Sequence, residues 1–203
     1  MRCSLRCHRP GWATRCVLLL MLTFAAAAML VPKALAADDR VLWRALRSGN
    51  HVAMIRHARA PGFGDPPHFE IGKCTTQRNL SDRGRQQAVA MGGRFRAHGI
   101  AAARVYSSQW CRCFETAERL ALGPVEALPV LNSFFQDFAR KETQTRQLRA
   151  WLSQQDLTTP LVLVTHQVNI TALTGVYPAS GEMVVIRPAA SGQWQVVGSL
   201  AMD

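Results

Sequence analysis

The stretch His51-Val52-Ala53-Met54-Ile55-Arg56-His57 indicates the fold of this chain. Its four consecutive apolar residues are typical of a strand that is buried on both faces. Two other runs have the same character, Arg104-Val-Tyr-Ser107 and Leu161-Val-Leu-Val-Thr-His166. Helical patterns separate them, and strands that alternate with helices predict a parallel sheet. The sequence therefore predicts an α/β fold, a three-layer α/β/α sandwich with a mostly parallel central sheet.

Periodicity and capping residues give approximate bounds for the remaining elements. We expect helices at 39–48, 81–98, from about 108 to 122, at 144–154 and at 169–174, and a closing hairpin of 183–187 with 193–197. Two long segments, 58–79 and 129–140, have no regular pattern. Long irregular segments in compact domains are often functional, so we expect these two to border the site.

Four polar residues follow the predicted strands. Arg56 and His57 close the first strand, Arg112 follows the second, and His166 follows the third. The carboxyl ends of parallel strands share one edge of the sheet, so these side chains should meet there. A neutral imidazole is a nucleophile that forms covalent intermediates, and guanidinium groups bind phosphate oxygens in pairs. The sequence thus predicts a site that takes a phosphoryl group onto a histidine.

Four segments in this order resemble the histidine phosphatase superfamily, the phosphoglycerate mutase-like group. They are Arg56-His57-Ala58, Leu80-Ser81-x-x-Gly84-x-x-Gln87-Ala88, Tyr106-Ser-Ser-x-x-x-Arg112-x-x-x-Thr116-Ala117 and Thr165-His166. The resemblance covers roughly residues 50–187. It implies the phosphoglycerate mutase-like sandwich and the activity of an exported, branch-1-like phosphoric monoester hydrolase.

The resemblance also implies a role for each matching residue. His57 would be the nucleophile that accepts the phosphoryl group, forming a phosphohistidine. Arg56 and Arg112 would clamp the phosphoryl oxygens. His166 and the backbone N–H of Gln167 would donate further hydrogen bonds to them.

The proton-donating glutamate of the family has no counterpart, because its Leu-x-Glu block reads Leu131-Asn132-Ser133 here. We expect Asp65 to be the general acid, since its Gly/Pro-rich loop follows His57 and can act as a lid. Asp137 is the alternative acid. A third possibility is a leaving group that needs no acid, such as that of a phosphohistidine, an acyl phosphate or a diphosphate.

Residues 1–36 have the pattern of a secretory signal peptide. A basic start is followed by the apolar run Cys16–Val31 and by an Ala-x-Ala site that ends at Ala36. The run is shorter than the roughly 20 residues that span a bilayer, although an uncleaved anchor stays an alternative. We therefore predict one domain, residues 37–203, in the periplasm or outside the cell. The first 36 residues contain five basic residues and no acid, so cleavage lowers the net charge from +11 to +6.

Three cysteines remain in the predicted mature chain: Cys74, Cys111 and Cys113. In an oxidising compartment two of them should pair. Cys113 shares a helix face with Ala117 and Leu120 and should lie in the core. We therefore expect a disulfide between Cys74 and Cys111.

The basic mature chain suits a phosphorylated small molecule, a glycan or a lipid head group, and possible association with a membrane surface. No basic cluster alternates with aromatic residues, so we predict no nucleic-acid partner. A metal site of His57, His68 and His166 is conceivable, but the neighbouring arginines would repel a cation; we predict no metal and no cofactor. Two alternatives to an enzyme stay open: a catalytically weak binder of phosphorylated glycan or lipid, and a phosphate-binding accessory protein of the cell envelope.

Overall fold

The computed structural model describes residues 39–202, so the predicted signal peptide lies outside the described residues. The helices are α1 (Asp39–Arg47), α2 (Asp82–Ala97), α3 (Cys111–Leu120), α4 (Lys141–Ser153) and α5 (Gln167–Thr174). The strands are β1 (Val52–Arg56), β2 (Arg104–Ser107), β3 (Val125–Ala127), β4 (Leu161–Thr165), β5 (Met183–Pro188) and β6 (Trp194–Leu200). Short 3₁₀ turns occupy Cys74–Thr76, Pro129–Leu131 and Phe138–Arg140.

The six strands form one sheet in the order β3-β2-β4-β1-β5-β6. The first four run parallel, whereas β5 pairs antiparallel with β1 and β6 antiparallel with β5. The four parallel strands therefore end beside one another at a single edge, with Arg56 opposite Thr165, Ser107 opposite Val164 and Ala127 opposite Ser107. This mostly parallel sheet confirms the predicted fold class.

Alternating side chains on the central strands build two separate cores. Ala53 and Ile55 of β1 point to one face, where they join buried residues of α1, α2 and α3. Val52 and Met54 point to the other face, toward buried residues of α4 and α5. Side chains of a strand alternate between faces, so a strand that is apolar throughout must be covered on both. The result is the predicted three-layer sandwich.

The helix α2 begins as the sequence predicts. The hydroxyl of Ser81 accepts a hydrogen bond from the backbone N–H of Gly84 at 3.1 Å, which caps the first turn. Gly84 approaches the loop after β1 so closely that a Cβ atom there would lie 2.1 Å from the carbonyl oxygen of Arg59. This glycine therefore allows α2 to pack against the segment that follows His57.

Some element bounds differ from the prediction. Helix α3 ends at Leu120, with Ala121 in the left-handed conformation (φ +49°), rather than continuing to the glycine at 123. Helix α4 begins three residues earlier than predicted, at Lys141. The three-residue strand β3 was not predicted, because so short a run has no clear periodicity. No helix among residues 39–202 is both long enough and apolar enough to cross a membrane.

Candidate active site

The structure brings Arg56, His57, Arg112 and His166 to one pocket at the carboxyl edge of the sheet. His57 directly follows β1 and His166 directly follows β4, and their ring centroids are 5.5 Å apart. The cavity has a volume of about 100 Å³, well below the roughly 300–1,000 Å³ of sites that enclose drug-sized ligands. A cavity of this size suits a small anionic group, with the rest of the ligand outside the cavity.

The imidazole of His57 is oriented by its own main chain. Its Nδ1 lies 2.8 Å from the carbonyl oxygen of Ala58, and a carbonyl only accepts, so the proton is on Nδ1 and Nε2 carries the lone pair. The Nε of Arg112 donates to this Nε2 at 3.2 Å. The Nε2 of His57 is therefore unprotonated, and its lone pair accepts a hydrogen bond from Arg112.

The two histidines are held neutral. Each is at most 4% exposed. Burial lowers the pKa of both imidazoles well below its usual value, and the positive charge of Arg112 lowers it further. A neutral imidazole is the nucleophilic form.

Arg112 lies in the first turn of α3 and is 2% exposed. The backbone oxygen of this residue accepts a hydrogen bond from the hydroxyl of Thr116, which in turn accepts from the backbone N–H of Ala58. Thr116 thus ties α3 to the residue that follows His57.

The guanidinium of Arg112 forms a bidentate ion pair with Asp65. The Nη1–Oδ1 distance is 2.7 Å and the Nη2–Oδ2 distance is 3.0 Å, and the two side chains are 3% and 4% exposed. The indole N–H of Trp110 and the backbone N–H of Arg78 also donate to this carboxylate. Burial acts to raise the pKa of Asp65, but the bonds and charge of Arg112 outweigh it and hold the pKa below its usual value.

In this geometry Asp65 is paired with Arg112, so acting as the predicted general acid would require Asp65 to release that guanidinium first. A proton donor at neutral pH needs a raised pKa, whereas the Asp65 carboxylate is held ionised. Asp137, the alternative acid, is exposed and is not among the residues that line the pocket. Ser133, the position at which the resemblance would place a glutamate, lines the pocket. Among residues 39–202 that line the pocket, Asp65 is the only carboxylic acid.

His166 is positioned by a buried polar network. Its Nε2 lies 2.9 Å from the hydroxyl of Ser108, which donates to the amide oxygen of Asn132 at 3.2 Å. The hydroxyl of Ser108 has a single proton, and that proton is donated to Asn132. In this arrangement Ser108 therefore accepts from the Nε2–H of His166. Its Nδ1 then faces the Nη2 of Arg112 at 3.4 Å.

Two more arginines stand at the pocket. The Nη1 of Arg56 donates to the carbonyl of Pro178 at 2.9 Å, while its buried Nε has no hydrogen-bond partner among the described residues. Arg78 lines the pocket and donates to the carbonyls of Gly64 and Ala60. It therefore adds positive charge to the site and orders the loop 58–79.

The amino ends of α3 and α5 both face this pocket, through Arg112 and Gln167. Helix amino termini favour anions because their N–H groups and dipole point outward. The placement of Gln167 is compatible with the predicted donation by its backbone N–H.

The predicted disulfide between Cys74 and Cys111 is present, with a Cα–Cα distance of 5.6 Å. It joins the loop 58–79 to α3 next to Arg112. Cys113 is buried in the core as predicted, and burial raises the pKa of its thiol to about 12. The loop that carries Asp65 and Arg78 is therefore fixed to the helix that carries Arg112.

Aromatic side chains form the mouth of the pocket. Phe63 is 87% exposed and meets Phe135 edge to face at a centroid distance of 4.9 Å. Tyr177 is 74% exposed and also lines the pocket. Sequence reasoning missed this aromatic mouth, as it missed the Ser108–Asn132 support of His166. Both involve residues from different irregular segments. The one local signal in the sequence was Phe63, a large apolar residue within a Gly/Pro-rich loop.

The sequence model of one protein family, the histidine phosphatase superfamily (branch 1), matches residues 52–156. The chain belongs to this superfamily. The matched region runs from β1 past α4 and includes His57 and Arg112, whereas His166 lies beyond it. A search of curated proteins finds no significant match.

Solved structures share the histidine phosphatase fold. The protein histidine phosphatase SixA complexed with tungstate superposes with a TM-score of 0.54 at 16% identity, over 74% of this chain and 96% of that one. A mycobacterial glucosyl-3-phosphoglycerate phosphatase with VO3 gives 0.53 at 18% identity, over 73% and 97%. A phosphoserine phosphatase mutant from Entamoeba histolytica with phosphoserine gives 0.54 at 14%, over 75% and 98%. At these identities the likeness is one of fold.

Proposed function

We propose that this histidine phosphatase is an exported enzyme that hydrolyses a phosphorylated substrate through a phosphohistidine on His57. The observation that carries the proposal is the tautomer of His57. Its Nδ1–H is fixed on the carbonyl of Ala58, so Nε2 is unprotonated and faces Arg112. Phosphoryl transfer requires mainly positioning and positive charge. The buried His57 supplies a positioned nucleophile, and the arginines that line the pocket supply the charge: Arg56, Arg78 and Arg112.

In the first step the lone pair of His57 Nε2 attacks phosphorus, and the bond from phosphorus to the leaving group breaks. The Nδ1–H of His57 stays on the Ala58 carbonyl, which stabilises the positive charge that develops on the ring. Arg112 and the unpartnered Nε of Arg56 would then bind the phosphoryl oxygens. In the second step water attacks phosphorus, and His57 leaves with its electron pair.

His166 would donate a hydrogen bond to the phosphoryl group. This needs a proton on its Nδ1, and Ser108 permits it by turning its hydroxyl proton from Asn132 to the Nε2 of His166. Asp65 must release Arg112 before both ends of that guanidinium bind phosphate, because the carboxylate occupies Nη1 and Nη2.

The test is hydrolysis of p-nitrophenyl phosphate by the mature protein and by His57→Ala. We expect the substitution to lower kcat by orders of magnitude. Quenching the wild-type reaction without acid should trap labelled phosphate on His57. His68→Ala is the matched control, since that histidine is exposed and does not line the pocket. Retention of most activity by His57→Ala would refute the proposal.

A second candidate function is the binding of a phosphorylated glycan or lipid with little turnover. The Asp65–Arg112 pair and the missing glutamate favour it. In this case the protein would bind phosphate or tungstate but would give no burst of product and no labelled His57.

Export is part of the proposal and is supported by two features. The pattern of residues 1–36 is that of a signal peptide, and a disulfide beside the site suits an oxidising compartment. Sequencing the amino terminus of protein from the periplasm or medium tests this. We expect the mature chain to begin at residue 37, and an unprocessed chain retained in the cytoplasm would contradict it.

A further inference from the structure

The carboxylate of Asp65 is bound to the same guanidinium that would bind a phosphoryl group. It accepts from Nη1 and Nη2 of Arg112 at 2.7 and 3.0 Å, in the pocket that His57 also lines. Guanidinium groups bind phosphoryl oxygens through paired donors of this kind. A phosphoryl group that binds both donors therefore displaces Asp65 and leaves its carboxylate without the ion pair.

Losing Arg112 reverses the balance that keeps Asp65 ionised. Burial acts to raise the pKa of this carboxyl, and the bonds and charge of Arg112 are the main factors that lower it. Once a phosphoryl group has taken the arginine, the burial stays and a second anion lies beside the carboxylate. Both favour the protonated form.

The other groups at this pocket do not undo that change. The charged and titratable ones are the cationic Arg56 and Arg78, the neutral His57 and His166, the phenol of Tyr177 and the buried thiol of Cys113. Only the two arginines favour the carboxylate form, and the charge of the phosphoryl group offsets them. We therefore expect Asp65 to take up a proton when a phosphoryl group binds.

The segment that carries Asp65 lies beside the leaving group. The cavity has a volume of about 100 Å³ and accommodates the phosphoryl group, so the leaving group lies at its mouth. Gly62, Phe63, Gly64 and Asp65 line the pocket in succession, and Phe63 is 87% exposed. The two glycines have φ of +94° and +65°, which glycine adopts without strain, and a Cβ at Gly64 would meet nothing within 4 Å. The carboxyl of Asp65 therefore has room to turn toward the mouth while α3 stays in place.

We propose that the substrate's phosphoryl group replaces Asp65 on Arg112 and gives it a proton, and that Asp65 then passes this proton to the leaving group. The inference rests on the proposed function of His57. The proton comes with the substrate, because a phosphate monoester has a second pKa of about 6 and its monoanion carries one proton on a phosphoryl oxygen. That proton moves to Asp65 as the phosphoryl oxygens bind Arg112.

The protons balance over both steps. The bond from His57 Nε2 to phosphorus forms, the bond to the leaving oxygen breaks, and this oxygen takes the proton of Asp65 and departs as an alcohol. In the second step the Asp65 carboxylate takes a proton from the attacking water. Inorganic phosphate carries this proton away when Asp65 returns to Arg112. One monoanionic ester and one water thus give one alcohol and one monoanionic phosphate.

The first experiment counts protons and needs no turnover. Tungstate, a phosphate analogue that carries no proton at neutral pH, is bound to the mature protein, and calorimetry in buffers of different ionisation enthalpy gives the protons taken up. Wild type should take up about one proton more than Asp65→Asn, because the displaced carboxylate becomes protonated. Asp137→Asn, which changes an exposed acid outside the pocket, is the matched control and should behave as wild type. Equal uptake by wild type and Asp65→Asn would overturn the exchange at Arg112.

The second experiment tests the transfer of the proton to the leaving group. kcat/KM is measured for an alkyl phosphate and for an aryl phosphate with an activated leaving group, below the melting temperature of each variant. A positioned acid contributes about 10²–10⁴-fold, so Asp65→Asn should lose this factor with the alkyl ester and keep most of its rate with the aryl ester. Equal losses on both esters, or no loss on either, would show that Asp65 is not the acid.

The pH dependence tests the source of the proton. For wild type, kcat/KM of the alkyl ester should fall about tenfold per pH unit above a pH of about 6, because the fraction of monoanion falls there. A profile that stays flat from this pH upward would contradict the substrate as the source. The proposed function fails in a different way: if His57→Ala keeps its activity, or no phosphate is trapped on His57, the phosphohistidine is lost whatever the proton count with tungstate shows.

Discussion

Replacing Asp65 by Asn should weaken the fold and strengthen anion binding at the same time. The carboxylate accepts two bonds from Arg112, one from Trp110 and one from the backbone of Arg78, at 2.7–3.2 Å. An amide keeps one accepting oxygen and loses the charge. Removing one partner of a buried pair costs about 3–5 kcal/mol, and the retained oxygen reduces this to about 2–3 kcal/mol. For a domain of this size the melting temperature should fall by about 4–10 °C.

The same substitution removes the competitor of the phosphoryl group at Arg112. Charge-assisted bonds contribute about 1.5–3 kcal/mol each, so freeing the guanidinium should tighten binding of phosphate or tungstate about ten- to a hundredfold. Saturating tungstate should then restore the lost stability, since about 2.7 kcal/mol is gained at a ligand concentration of 100 Kd.

Thermal unfolding at a series of tungstate concentrations measures both effects in one assay. Wild type, Asp65→Asn and Asp137→Asn are compared, the last being an exposed acid outside the pocket that should behave as wild type. If Asp65→Asn binds tungstate no more tightly than wild type, the carboxylate does not compete for Arg112 and the reasoning fails.

Three further predictions concern the two histidines, the disulfide and Gly84. Because His57 and His166 stay neutral well below the usual pKa of 6.5, the acid limb of kcat/KM should lie below pH 6.5; stability to urea should fall as the pH drops below 6.5, since only the unfolded chain takes up those protons, and a limb at 6.5 or above contradicts this. Reducing the bond between Cys74 and Cys111 should lower the free energy of unfolding by about 2–4 kcal/mol and raise KM; an unchanged KM in dithiothreitol would show that the loop stays in place without it. Gly84→Ala should destabilise the fold by more than 1 kcal/mol, measured by urea unfolding, whereas Gly93→Ala in the same helix, where a Cβ meets nothing within 4 Å, should not.

The sheet and the meeting of four residues at its edge could be predicted because their signals are local. A short apolar run indicates a buried strand, and the topology of parallel strands then places whatever follows each strand. The same logic located Arg56, His57 and His166 without any knowledge of packing. The disulfide was predictable for a similar reason, since helix periodicity separates Cys111 from the buried Cys113.

The Asp65–Arg112 pair could not be read from the sequence. The two residues are 47 positions apart, and Asp65 lies in a Gly/Pro-rich loop with no periodic pattern. The same loop could place this carboxylate at the leaving group or on the arginine, and only packing decides between them. Arg112 is buried beside Asp65, and its positive charge forms the ion pair and keeps the carboxylate of Asp65 ionised.

Four residues in the first two turns of α3 make four different contacts. Cys111 forms the disulfide to the loop 58–79, Arg112 pairs with Asp65, Cys113 packs beneath His166 at 3.4 Å, and the Thr116 hydroxyl accepts a hydrogen bond from the backbone N–H of Ala58. Successive residues of a helix are rotated by about 100°. Inserting or deleting one residue before Cys111 would therefore rotate every side chain of the helix by about 100° relative to the site. A cysteine would then occupy the position of the Arg112 guanidinium. The start of α3 therefore depends on its length as well as on its side chains.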